Sequence, residues 1–461
     1  MSPTHPASDS ASDRDAGLIN ELVAPASVHE HLSRHVLADG YKLVVDLERS
    51  HGSVLVDARA GTEYLDCYTF FASLPIGYNH PDLVEENFLR TLGRANVHKP
   101  ANPDAYSVEY AEFVDTFARV LGDPALPHLF FVEGGALAVE NALKVAFDWK
   151  SRRNDRNGRP ERGDMVMHLQ HAFHGRSGYT LSLTNTEPIK TERFPKFDWP
   201  RISSPAQRFP LADFSESNRR SEDEALSQAV AAFEQNPHQI ACFVCEPIQA
   251  EGGDRHLSAR FLGEMQDLCK KYDALFVLDE VQTGVGVTGS RWMYEGLSLE
   301  PDVVAFAKKV QVGGVMAGRR VDEEPDNVFQ VSGRISSTWG GGLSDMVRST
   351  RILEIIERDG LIDNAAKAGH VLLGSLEQIA TEHPSRISNA RGSGLLCAVD
   401  LPSTAERDRV VNLLREDEHV IVLPCGDRSV RFRPGLIVTE EEVTRAADAL
   451  GRVVEKMDRG N

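Results

Sequence analysis

Short apolar runs alternate with amphipathic stretches through most of this chain. Residues 129–132, 164–169, 239–245, 274–278 and 302–307 are nearly continuous in Val, Ile, Leu, Met, Phe, Cys and Ala, as strands buried on both faces are. Helical spacing fills the intervals. Val139, Ala142, Leu143 and Ala146 share one face of a helix that follows the first run. Phe261, Leu262, Met265, Leu268 and Cys269 do the same over 258–272, and a further helix is expected over about 222–233. Strands alternating with helices predict an α/β fold, a mostly parallel central sheet covered on both sides. From residue 345 the pattern changes to long amphipathic helices with strands at 394–400 and 420–424, which predicts a smaller α+β domain.

Ahead of the first run the pattern is weaker. Residues 42–46, 53–58 and 63–67 read as three short strands, and the turn-rich passage 70–81 suits either a pocket entrance or an ordinary domain connection. Residues 1–24 are rich in Ser, Asp, Ala and Pro and are expected to be a flexible segment. The expected organisation is that segment, an N-terminal part of a small domain over 25–77, a large domain over 78–344 and the rest of the small domain over 345–461.

Composition narrows the function classes. A chain of 461 residues buries a substantial core, and its net charge of −19 offers no basic stripe to nucleic acid or to an anionic membrane. The apolar runs fall well short of the ~20 residues of a membrane span, and the N-terminus lacks the charged-then-apolar order of a signal peptide, so a cytoplasmic protein is expected. Its six cysteines lie mostly in apolar runs rather than in a disulfide framework. Cys242 and Cys245 have Cys-x-x-Cys spacing, but within a strand and without a second pair, so no metal site is expected.

Two strand ends carry the candidate chemistry. One run ends in Asp279-Glu280-Val281-Gln282 and the next in Ala307-Lys308-Lys309. Ligands in open α/β sheets bind outside the carboxyl ends of the strands, so an acid and an amine are delivered to one edge. That combination suits pyridoxal phosphate. The amine holds the aldehyde, and the carboxylate keeps the pyridine nitrogen protonated so that the ring accepts electrons. At about 3 Å and an effective dielectric near 20, that charge pair is worth roughly 5 kcal/mol. A strand ending in Leu-Asp-Glu also resembles the acidic strand of a nucleotide hydrolase. No Gly-Lys dipeptide occurs, however, so the phosphate loop of such an enzyme is absent.

Other segments fit the same site. Gly134-Gly135-Ala136 follows a strand and opens a helix, where backbone N–H groups and the positive helix end can seat a phosphate. Phe173 stands at a strand end and could stack on a ring, or could equally be core. His174 reads as structural or as a support for a site residue. Arg176 can take a carboxylate. A second glycine-rich loop at 337–342 includes Thr338. Arg431 interrupts an apolar strand, as a substrate contact or as a solvated edge.

Together these residues resemble the class III, or ω-, aminotransferases of pyridoxal-phosphate fold type I, from about Tyr41 to the C-terminus. The passages 305–323 and 337–341 are most similar to the L-lysine 6-aminotransferases within that family. The resemblance implies that Lys308 attaches the cofactor and Asp279 holds its pyridine nitrogen. It implies that Gln282 touches the ring hydroxyl and that Val281 and Phe173 sandwich the ring. Gly135 and Ala136 would bind the phosphate with Thr338, which would reach over from the second subunit of a homodimer whose site lies at the interface. Lys309 is the rival attachment point, and the spacing from Asp302 selects Lys308.

The implied reaction moves the side-chain amine of L-lysine to 2-oxoglutarate, giving L-glutamate and 2-aminoadipate 6-semialdehyde, which cyclises to piperideine-6-carboxylate. Arg176 would take the remote carboxylate. Arg431 would pair with Glu251 in the lysine half and be released for the acceptor, a cheap switch if that pair is exposed. Other ω-amine donors (ornithine, 4-aminobutyrate, diaminobutyrate) and an isomerase or racemase on the same fold remain alternatives. Ser336 and Gly342, in the phosphate-side loop, depart from asparagines common in relatives. No residue of the polar passage after 185 is assigned.

Overall fold

The computed structural model describes residues 23–459, so all but the last two residues of the expected flexible segment lie outside the described residues. Two compact units are present. One comprises the described residues through Ser50 together with Leu55–Glu63. The other comprises His51–Val54 and the chain from Tyr64 onward, and it holds every residue of the site discussed below. In the first unit the strand expected at 42–46 is reduced, among the described residues, to a single bridge between Val45 and Asp57.

The second unit is built on a seven-stranded sheet. Its strands are β1 (His128–Val132), β2 (Met165–Leu169), β3 (Arg201–Ile202), β4 (Ile240–Cys245), β5 (Leu275–Asp279), β6 (Val303–Phe306) and β7 (Gly313–Ala317). Their spatial order is β1-β7-β6-β5-β4-β2-β3. The pairs from β6 to β3 are parallel, whereas β7 runs antiparallel to both β6 and β1. Two cores follow from the alternation of side chains. Leu275 and Val277 face one cluster with Val139, Ala142, Leu143 and Ala146 of helix α1 (Gly135–Arg156). Phe276 and Leu278 face the other, with Phe113, Phe117, Phe261 and Met265. The odd spacing of Cys242 and Cys245 sends their buried thiols to opposite faces, so they cannot converge on one ion.

Two elements differ from the sequence expectation. The helix expected from about 222 spans Leu211–Gln235, because its first turns are too polar to show an apolar stripe. Strand β7 was not anticipated, since its Gly-Gly-Val-Met-Ala is too short and glycine-rich to announce itself. Those glycines are required. A Cβ on Gly313 would lie 2.5 Å from the Gly134 carbonyl oxygen.

After Leu343 the chain forms Leu343–Arg358 and Leu361–Glu382, then an antiparallel four-stranded sheet of Ser388–Ser393, Leu396–Asp400, Ser429–Phe432 and Leu423–Cys425 in spatial order. Helix Glu440–Asp458 closes the chain behind a reciprocal cap between Thr439 and Glu442.

Candidate active site

Parallel pairing places Ala305 of β6 beside Asp279 of β5, so both strands end at the same edge. A cavity of about 550 Å³ opens there, lined by Asp279, Val281, Gln282 and Lys308 and, across from them, by Gly134, Gly135, Ala136, Phe173, His174, Arg176 and Glu246. A larger groove of about 1230 Å³, bordered by Phe209, Arg255 and Asn389, contains neither Lys308 nor Asp279. The chemistry therefore selects the smaller space.

Lys308 leaves β6 in a turn with φ of 48°, a left-handed conformation that L-residues adopt at a cost. Its Nζ donates to the Phe71 carbonyl at 3.0 Å. Burial, then the Arg431 guanidinium, pushes its pKa down to about 8, against the pull of Glu251 and Asp279. Lys309 points elsewhere: its buried amine donates to the Gln282 carbonyl at 2.7 Å and lies outside the cavity lining. Asp302 is tied into the sheet, accepting from Phe276 N at 2.9 Å.

Asp279 is buried and fixed from two directions. His174 Nδ1 lies 2.7 Å from its Oδ2, and Val281 N donates to its Oδ1 at 3.1 Å. His174 thus supports the acid rather than lining the space passively. Glu280, by contrast, is turned away. Its carboxylate accepts from Thr283 Oγ1 and from the backbone of Met293 and Tyr294, and burial raises its pKa to about 7.

Glu246 directly follows β4 and has no role assigned from the sequence. It sits in the cavity and accepts from Phe173 N at 2.9 Å and Ala250 N at 3.3 Å, which sets the backbone beneath the Phe173 ring. Burial, then the nearby Asp279, holds its pKa well above the carboxylate range.

The Phe71 carbonyl is offered by a stretch that sequence patterning could not reveal. Thr69, Phe70, Phe71 and Ala72 all have φ between 44° and 61°, a left-handed turn made without glycine. Such residues cost about 1–2 kcal/mol each. Asp66 holds the turn open, accepting from Tyr68 N, Thr69 N and the Tyr78 hydroxyl at 2.7, 2.9 and 2.6 Å. Thr69 Oγ1 also donates to the Arg433 carbonyl at 2.6 Å.

Arg431 and Glu251 lie as a pair, Nη2 to Oε2 at 2.9 Å. The pair is not the exposed one on which a cheap switch was expected. Arg431 is 1% exposed and Glu251 25%, because Arg431 stands in the middle of a sheet rather than at a solvated edge. Lys190, from the passage with no assigned residue, donates to the other oxygen of Glu251 at 2.7 Å. Arg176 is exposed at the cavity wall, and no carboxylate among the described residues engages it. Thr338 is exposed and absent from the lining of this chain's own cavity.

The residues present fit pyridoxal phosphate. An amine of lowered pKa and a buried carboxylate share one space with the N-terminus of a 22-residue helix. Gly135 keeps that end open, since a Cβ there would already lie 3.0 Å from Val281 Cγ1.

The chain is similar to known proteins over most of its length. The model of the family described as aminotransferase class-III matches residues 36–454. An L-lysine-epsilon aminotransferase of Amycolatopsis lactamdurans is 58% identical, over 92% of this chain and 94% of that protein. Human mitochondrial 4-aminobutyrate aminotransferase is 31% identical over 87% of this chain and 82% of its own length. The solved structure of a lysine aminotransferase from M. tuberculosis in the internal aldimine form superposes with a TM-score of 0.92 at 56% identity, covering 94% of this chain and 99% of that one.

Proposed function

This chain belongs to the class-III aminotransferases, and on that premise we propose that it transfers the side-chain amine of L-lysine to 2-oxoglutarate, giving 2-aminoadipate 6-semialdehyde and L-glutamate. What supports this donor is 58% identity, over nearly the whole chain, to a protein named for that activity, combined with a site whose amine and acid converge.

Pyridoxal phosphate, when bound, supplies an aldehyde for the substrate amine and a ring that takes up the electron pair left by the departing proton. In this reading Lys308 is its attachment point. The same amine, of lowered pKa, would take the proton from the substrate carbon and deliver it across the substrate nitrogen, two atoms away. Asp279, steadied by His174, holds the pyridine nitrogen protonated. Phe173 and Val281 flank the ring, and Gln282 meets its hydroxyl. Gly135 and Ala136 at the helix end would hold the phosphate. Arg176 takes the carboxylate remote from the reacting carbon, and Arg431 takes the α-carboxylate of the acceptor after parting from Glu251.

A homodimer completes the reading. Thr338 of a second copy would reach the phosphate, in keeping with its exposure and its place outside this chain's own cavity. No helix among the described residues is long and apolar enough to cross a membrane, which is compatible with work in the cytoplasm.

The test is a donor screen with 2-oxoglutarate as common acceptor. L-lysine should give glutamate faster than ornithine, 4-aminobutyrate or 2,4-diaminobutyrate does. A faster rate with any of these would replace the donor, and consumption of lysine without a keto acid would favour an isomerase.

A further inference from the structure

Glu251 is held between two cations. Arg431 Nη2 donates to one carboxylate oxygen at 2.9 Å, and Lys190 Nζ donates to the other at 2.7 Å. Lys190 is itself half-tethered, 3.1 Å from the more exposed Glu187, with its ammonium 5.5 Å from the centre of the Phe173 ring that lines the cavity. Arg431 is buried, and its Nε and Nη1 have no hydrogen-bond partner among the described residues. Although burial would raise the Glu251 pKa, Arg431 and then Lys190 bring it below the ordinary value. Glu251 is therefore an anion shared by two cations.

This sharing bears on the exchange required of Arg431. If a carboxylate of the acceptor takes the guanidinium, Glu251 must give it up inside a largely desolvated site. A carboxylate deprived of its only partner there is costly, and it would repel the incoming one. Arg431, Lys190 and Glu251 together carry one net positive charge, whereas without Lys190 the sum is zero.

We infer that Lys190 is a positioning residue for the acceptor half of the reaction, keeping Glu251 paired when a dicarboxylic 2-oxo acid displaces it from Arg431. This rests on the reading that Arg431 receives the acceptor. Donor L-lysine does not call for that exchange, so the two halves depend on Lys190 unequally.

The experiment uses the full-length holoenzyme with Lys190→Met and Lys190→Arg, each alone and with Glu251→Gln. Single-turnover spectra report each half-reaction separately, and calorimetry reports the affinity for glutarate, a dicarboxylate without a reactive carbonyl. Loss of a hydrogen bond to a charged group predicts that Lys190→Met raises the half-saturating 2-oxoglutarate concentration about tenfold and weakens glutarate comparably. The half-saturating L-lysine concentration should change less than about twofold on the same grounds. Lys190→Arg should restore acceptor binding, and in the Glu251→Gln background Lys190→Met should add little. Equal effects on both halves, or none on the acceptor half, would overturn the proposal. If Glu251→Gln alone leaves acceptor affinity unchanged, the Arg431–Glu251 exchange itself fails, and the role of Lys190 with it.

Discussion

The lowered pKa of Lys308 makes a quantitative prediction about cofactor capture. Only the neutral amine attacks an aldehyde, and burial with Arg431 sets its pKa at about 8 instead of 10.5. At pH 7 roughly one such amine in ten is neutral, against about three in ten thousand for an ordinary lysine, a difference of about 300-fold. The rate at which cofactor-stripped protein takes up pyridoxal phosphate should therefore rise about tenfold per pH unit up to about pH 8 and then level off. Rapid-mixing absorbance across neutral and alkaline pH measures this directly. Replacing Arg431 with Gln removes the second-largest cause, so the midpoint should move upward. A wild-type midpoint near 10.5 would refute the reasoning. The sign carries over to folding. Between about pH 8 and 10.5 the folded chain binds fewer protons here than the unfolded one, so stability contributed at this position rises with pH through that window and is lowest below it.

Other perturbations have equally definite outcomes. Lys308→Ala should leave the circular dichroism spectrum unchanged while turnover falls by about 10²–10⁴-fold or more, since general base catalysis of that size is removed; wild-type turnover would shift attention to Lys309. In Gly135→Val the first added carbon already lies 3.0 Å from Val281 Cγ1, so overpacking of about 1–3 kcal/mol should appear as weaker binding of pyridoxal phosphate in an equilibrium titration. Asp254→Ala leaves Arg433 as an unpaired charge in a site where both side chains are 0% exposed, and urea unfolding should record a loss of about 3–5 kcal/mol. A loss under about 1 kcal/mol would mean that the Arg433 charge finds compensation elsewhere.

What the sequence made legible follows from where the information lies. Asp279 and Lys308 end apolar runs, and a strand's end is a local property, so their meeting at one edge could be read from period and position. Gly135 was legible for the same reason, as a glycine between a strand and a helix. Glu246 and Lys190 were not, because their meaning depends on Phe173 N and Glu251, 73 and 61 positions away in the chain. The left-handed turn at Thr69–Ala72 carries no glycine to announce it; Asp66 and the Arg433 carbonyl impose it from outside. Arg431 was ambiguous because a guanidinium at a sheet edge and one buried against a carboxylate have the same local sequence. The early start of helix Leu211–Gln235 was hidden by a polar face that only packing could reveal.

The central claim is that the amine leaves the side chain of L-lysine and arrives on the acceptor. L-lysine labelled with heavy nitrogen only at its side-chain amine, incubated with the protein, pyridoxal phosphate and 2-oxoglutarate, should yield labelled glutamate by mass spectrometry. Unlabelled glutamate would mean that the α-amine is taken, contradicting both the proposed donor position and the role given to Arg176.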